Sequence, residues 1–138
     1  MVDSTPSELN TKRFLLFWLP VLVWAGLIFW LSSLRVTPEP EAVRGFPGWS
    51  QEAHFTLYLV LGALLCRAIS TLQTTLRIRM LLPMVAGALY AISDEVHQHF
   101  VPGRQADIMD LIVDCAGLAA GILLAFFSLA VHPGRKGR

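Results

Sequence analysis

Phe14–Leu34 reads FLLFWLPVLVWAGLIFWLSSL, 21 residues without a charge, led in by Lys12 and Arg13. A bilayer core is crossed by a helix of about 20 apolar residues, so this stretch has the length and composition of a membrane span. A signal peptide would share the basic start. Its apolar region, however, covers only about 7 to 15 residues and ends in a small-residue cleavage site, and neither condition is met here.

The rest of the chain supports the same class. Of its 138 residues 54% are hydrophobic and 15% charged, with a mean hydropathy of +0.56, which describes one small domain too apolar for a typical soluble protein. A formal net charge of +1 implies neither a nucleic-acid partner nor an acidic substrate. Three further apolar stretches follow the first, at about 53–70, 81–98 and 107–131, and with 14–34 they predict an all-α, four-span transmembrane bundle with antiparallel up-down helices. Pro20 and Pro83 are expected near helix starts, where first-turn amides have no partner to lose. Cys66 and Cys115 fall in apolar runs at different expected depths and read as small core hydrophobes, without CxxC or zinc-type spacing.

Basic residues set the expected orientation. Lys12, Arg13, Arg67, Arg77, Arg79, Arg135, Lys136 and Arg138, eight of the eleven cations, fall on one side of the spans, which predicts that both termini are cytoplasmic. The opposite side carries Arg35, Arg44 and Arg104 with eight of the ten acids. The first outer loop, Arg35 to Ser50, holds Pro38, Pro40, Pro47, Gly45 and Gly48 and is expected to be non-helical, anchored at the interface by Phe46 and Trp49.

Ser93–Gly121, SDEVHQHFVPGRQADIMDLIVDCAGLAAG, concentrates the charge that the spans otherwise avoid: Asp94, Glu95, Arg104, Asp107, Asp110 and Asp114. One ionised side chain at the centre of a membrane helix costs roughly 2.5–3.5 kcal/mol on insertion scales, so such residues point to function or to a paired network. Tyr90, Asp94 and His97 share one helical face, with Glu95 and Gln98 on a neighbouring strip; Asp107, Asp110 and Asp114 form a stripe on span four. Pro102-Gly103 has the residues of a type II turn, which would make the two helices antiparallel neighbours. His54 and Tyr58 add a third wall from span two. Asp107 stands where a helix begins and reads as an N-cap. Glu95 could equally point to an aqueous rim, and Asp110 or Asp114 could form ion pairs with Arg104 or His97. Gly117 and Gly121 make a GxxxG pattern that permits close helix approach, within the monomer or between copies.

Together, His54-Phe55 with Tyr58 and Leu61-Gly62, then Ser93 to Gln98, Phe100 to Arg104, and Asp110 with Asp114, Gly117 and Gly121 resemble the signature of VanZ-like membrane proteins. Ser32-Ser33 resembles the family's serine pair at the end of span one. The resemblance covers most of the chain, and implies a multi-pass protein of a bacterial cytoplasmic membrane, linked to teicoplanin resistance, with a site but no named reaction. Many relatives carry a Lys where this chain has Gln51 and an acid where it has Leu57. Asn is frequent at the position of Asp114, which implies hydrogen bonding or coordination there more than an obligatory charge.

Two functional readings follow. In the first, the chain is an enzyme acting on a lipid-linked or cell-wall substrate, with Asp94, Glu95, His97 and Asp110 as catalytic groups. Asp94, Asp110 and Asp114 would then hold a divalent cation, and Arg104, Gln98, His54 and Tyr58 would contact substrate. Oxygen ligands favour Mg²⁺, Ca²⁺ or Mn²⁺, and a histidine would admit Mn²⁺ or Zn²⁺. In the second, a non-catalytic pocket binds a lipid head group or a cell-wall precursor, with Arg104 gripping an anion. A serine triad from Ser93, Asp94 and His97 is unattractive, because near neighbours on one helix cannot converge into that geometry.

Overall fold

The computed structural model describes residues 6–34, 49–104 and 107–131. They form four helices, α1 (Pro6–Ser32), α2 (Trp49–Ile69), α3 (Leu76–His99) and α4 (Ile108–Val131), with no strand among them. Each helix contains a segment long and apolar enough to cross a membrane: Phe14–Ser32, Gln51–Ile69, Leu76–His99 and Ile108–Ala130. The expected loop and its anchors at residues 35–48, together with Arg135, Lys136 and Arg138, lie outside the described residues, as does the Trp49 side chain.

The first three helices begin earlier than the apolar pattern alone suggests, while α4 begins within one residue of it. Thr75, in extended conformation, caps α3 by accepting a hydrogen bond from the Ile78 amide, so the helix includes Arg77 and Arg79 before its apolar part. In α1 the polar residues ahead of Phe14 are helical back to Pro6. The expectation for Pro20 and Pro83 is therefore corrected: both lie inside helices, not near their starts. Each removes one amide from the ladder, leaving the carbonyl four residues earlier, that of Leu16 or Arg79, without its helical donor.

Contacts along the helices establish the up-down order. Arg67 near the end of α2 lies over the Phe17 ring, while the Trp24 indole donates to the Leu57 carbonyl at 2.9 Å, so α1 and α2 are antiparallel. The Tyr58 hydroxyl reaches Asp94, which makes α2 and α3 antiparallel as well. The Glu95 carboxylate meets the Asp107 amide, while Gly87 lies against Leu118, and α4 therefore returns along α3. Tyr90 donates to the Ala25 carbonyl at 2.6 Å, tying α1 to α3 side by side.

The tightest pairing is that of the parallel helices α2 and α4. A Cβ placed on Gly117 would collide with the Phe55 carbonyl oxygen, and one on Gly121 with the Leu59 carbonyl oxygen. Small residues let membrane helices pack backbone against backbone, and here the GxxxG pattern serves packing within one chain. Tyr58, Leu61, Leu65, Ala91 and Leu118 fill the interior with Val21 and Ile28 of α1. Most large apolar side chains of α1 point outward, including Phe14, Leu16, Leu22, Val23 and Trp30. Both cysteines are free.

Candidate functional site

The polar residues gather at one end of the bundle, where the end of α1, the beginning of α2, the end of α3 and the beginning of α4 meet. The α3–α4 turn brings the last two together. Arg104 N–H donates to the Val101 carbonyl at 3.1 Å, and Gly103, between them, has φ 84°, as the third residue of a type II turn requires. Asp107 follows and caps α4 through Oδ1, which accepts from the Met109 amide at 2.9 Å.

One part of the site is built on Asp94, only 3% exposed. Its Oδ2 accepts hydrogen bonds from Ser32 Oγ at 2.8 Å, Gln98 Nε2 at 3.1 Å and Tyr58 OH at 3.4 Å. The helical spacing of four places Gln98 directly behind Asp94, while Ser32 and Tyr58 reach in from α1 and α2. Oδ1 has no hydrogen-bond partner among the described residues. Asp94 is thus held by three elements through one oxygen, and its second oxygen remains free to accept.

A second part lies beside it. His54 Nδ1 and Asp114 Oδ1 are 3.0 Å apart, the single ion pair among the described residues. Glu95 is buried, not turned to a rim, because its Oε2 accepts from the Asp107 amide at 3.0 Å. Glu95 Oε1 and Asp114 Oδ2 have no hydrogen-bond partner among the described residues, although Asp114 is fully buried. Asp114 pairs with His54, not with Arg104 or His97.

The remaining candidates stand at the periphery. Ser33 Oγ donates to the Phe29 carbonyl at 2.7 Å and lies 2.9 Å from His97 Nε2; with its only hydrogen committed, the serine must accept, so His97 Nε2 carries a proton. The His97 ring also stacks on Phe29, with centroids 4.5 Å apart. Arg104 donates through Nη2 to the Leu31 carbonyl at 3.1 Å and through Nε to that of Leu34 at 3.4 Å, which satisfies the open end of α1. Asp110 is half-buried, and no side-chain hydrogen bond joins it to the others among the described residues.

Spacing predicts three walls, from the second, third and fourth spans, and the structure adds a fourth from α1. Ser32 and Ser33, marked by the resemblance as a serine pair but given no place in the expected site, are the residues by which α1 touches Asp94 and His97. Among the described residues, the three metal-type ligand atoms that come together, within 4.8 Å of one another, belong to His54, Glu95 and Asp114; Asp94 and Asp110 stand outside that trio.

A family model described as VanZ/LLP1 matches residues 17–129. The chain belongs to the VanZ/LLP1 family. No curated protein and no solved structure matches it. In this VanZ/LLP1 chain the matched segment contains every residue of the site, from Ser32 to Asp114.

Proposed function

We propose that this VanZ/LLP1 protein acts in the cytoplasmic membrane of a bacterium as an enzyme on a lipid-linked or cell-wall substrate, at the outward end of the bundle. The observation that carries the reading is Asp94, buried with Oδ2 held by Ser32, Tyr58 and Gln98 and with Oδ1 unpartnered among the described residues. A carboxylate fixed through one oxygen can accept a proton or a hydrogen bond from a substrate hydroxyl or ammonium through the other. Its location in an apolar bundle supports a substrate that arrives from the bilayer. The basic flanks of the spans support cytoplasmic termini, which would put the site on the outer face.

The test is turnover. Purified protein is reconstituted in vesicles containing a lipid-linked disaccharide–peptide precursor, and product is followed by mass spectrometry; conversion by the wild type and its loss in Asp94→Asn are expected. In cells, the family's link to teicoplanin resistance leads us to expect that the same substitution lowers tolerance. A lack of conversion in the wild type would overturn the enzymatic reading.

One observation favours a second reading, a non-catalytic receptor for a head group or a precursor stem. His97, the candidate acid or base, is bonded to Ser33 and stacked on Phe29, not joined to Asp94. A receptor would retain the precursor saturably without product, and Asp94→Asn would weaken retention.

A further inference from the structure

We propose that His54, Glu95 and Asp114 hold a first-row divalent cation, of the class of Mn²⁺ or Zn²⁺. The assignment deepens the proposed function by giving that site an electrophile. It rests on that reading for the cation's purpose only, since binding to the substrate-free protein stands or falls by itself.

Three observations converge on it. One ligand atom from each residue lies within 4.8 Å of the other two, close enough for small side-chain rotations to bring all three to a common ion. All three residues are buried, and Glu95 Oε1 and Asp114 Oδ2 lack a hydrogen-bond partner among the described residues. Buried carboxylate oxygens are ordinarily satisfied, and an unpaired buried charge is among the most costly features a protein can hold. Finally, compensating charge is scarce among the described residues. His54 is the one basic group paired with these acids among the described residues, and Arg104 directs its Nε and Nη2 to the carbonyls of α1.

A cation resolves this arrangement. It neutralises two carboxylates at once and uses the two oxygens that no other described residue engages. One imidazole and two carboxylates make a mixed nitrogen–oxygen set, which suits Mn²⁺ or Zn²⁺ better than Ca²⁺. The surroundings are already built: the Asp107 amide fixes the other oxygen of Glu95, in the way outer hydrogen bonds orient ligating carboxylates. Asp94, with its free Oδ1, stands beside the trio, on the turn of α3 that carries Glu95.

The test uses the full chain in detergent or nanodiscs, stripped with a chelator and titrated with Mn²⁺ and, separately, Zn²⁺ by calorimetry. One cation per chain is expected, with the affinity at least tenfold weaker in Glu95→Gln and Asp114→Asn and unchanged in Glu52→Gln, on the exposed side of α2. Should those buried variants fail to fold, two readouts remain. Mn²⁺ bound to the wild type should show hyperfine coupling to one histidine nitrogen by pulsed paramagnetic resonance. His54→Cys should shift preference from Mn²⁺ towards Cd²⁺, as a thiolate ligand demands. Absence of stoichiometric binding by the wild type, absence of nitrogen coupling, or equal affinity in folded Glu95→Gln would each overturn the assignment. Metal binding without turnover would leave it standing and count against the enzymatic reading alone.

Discussion

Under the proposed function, Asp94 separates what the site needs to fold from what it would need to act. In Asp94→Asn the amide oxygen can take the place of Oδ2 and keep the donors from Ser32, Tyr58 and Gln98, while an NH₂ group replaces the accepting Oδ1. Loss of function with a stability change below about 1.5 kcal/mol is expected, the scale of one net hydrogen bond. Asp94→Ala instead strands buried donors, and each such group costs about 1–3 kcal/mol, so this variant should melt clearly below Asp94→Asn by thermal unfolding in detergent. Spacing marks Asp94 as one of a polar face but groups it with Tyr90 and His97 and leaves Gln98 on the neighbouring strip with Glu95, whereas the pair that forms is Asp94 with Gln98, one helical turn apart. The direction of Glu95 was not readable, because the group that draws it inward is a backbone amide, and one amide looks like any other in a sequence. The partner of Ser32 was equally hidden: the resemblance marks the serine pair, but a hydroxyl closing an apolar run has no visible target until the helix beside it is placed.

At the scale of the element, two devices hold the helices in relation. Between α2 and α4 the contact is backbone on backbone, so Gly121→Leu has no side chain to displace except by separating the helices. Overpacking of this kind costs about 1–3 kcal/mol and occasionally more, and a lowered unfolding temperature should report it. Between α1 and the rest, Arg104 is the clasp. Arg104→Ala frees the Leu31 and Leu34 carbonyls, and we expect faster amide exchange through the last turn of α1 with α2 and α4 unchanged, measured by hydrogen–deuterium exchange. The GxxxG pattern disclosed a close approach but could not name the partner, because small residues state only that something comes near. Helix starts were hidden for a related reason: hydropathy marks where a chain becomes apolar, whereas Thr75 marks where it becomes helical, six residues before the first apolar position of the expected third span at Leu81.

For the whole molecule, the up-down order follows from pairs that join opposite ends of successive helices, such as Phe17 with Arg67 and Glu95 with Asp107. The side of the membrane is a separate matter, expected from the distribution of basic residues. Alkaline phosphatase, which is active only outside the cytoplasm, should be inactive when fused after Arg138 and active when fused after Gly103; the reverse pattern would invert the proposed orientation. The four-walled site also has a history in time. A chain emerges from its N-terminus, so when α3 enters the membrane, Ser32 and Tyr58 are already there to receive Asp94, but Glu95 must await Asp107 and His54 must await Asp114. Until the last helix arrives, the nascent protein carries one acid, Glu95, and one imidazole, His54, whose partners lie in its own unmade portion, and a product stalled before α4 would present both without those partners.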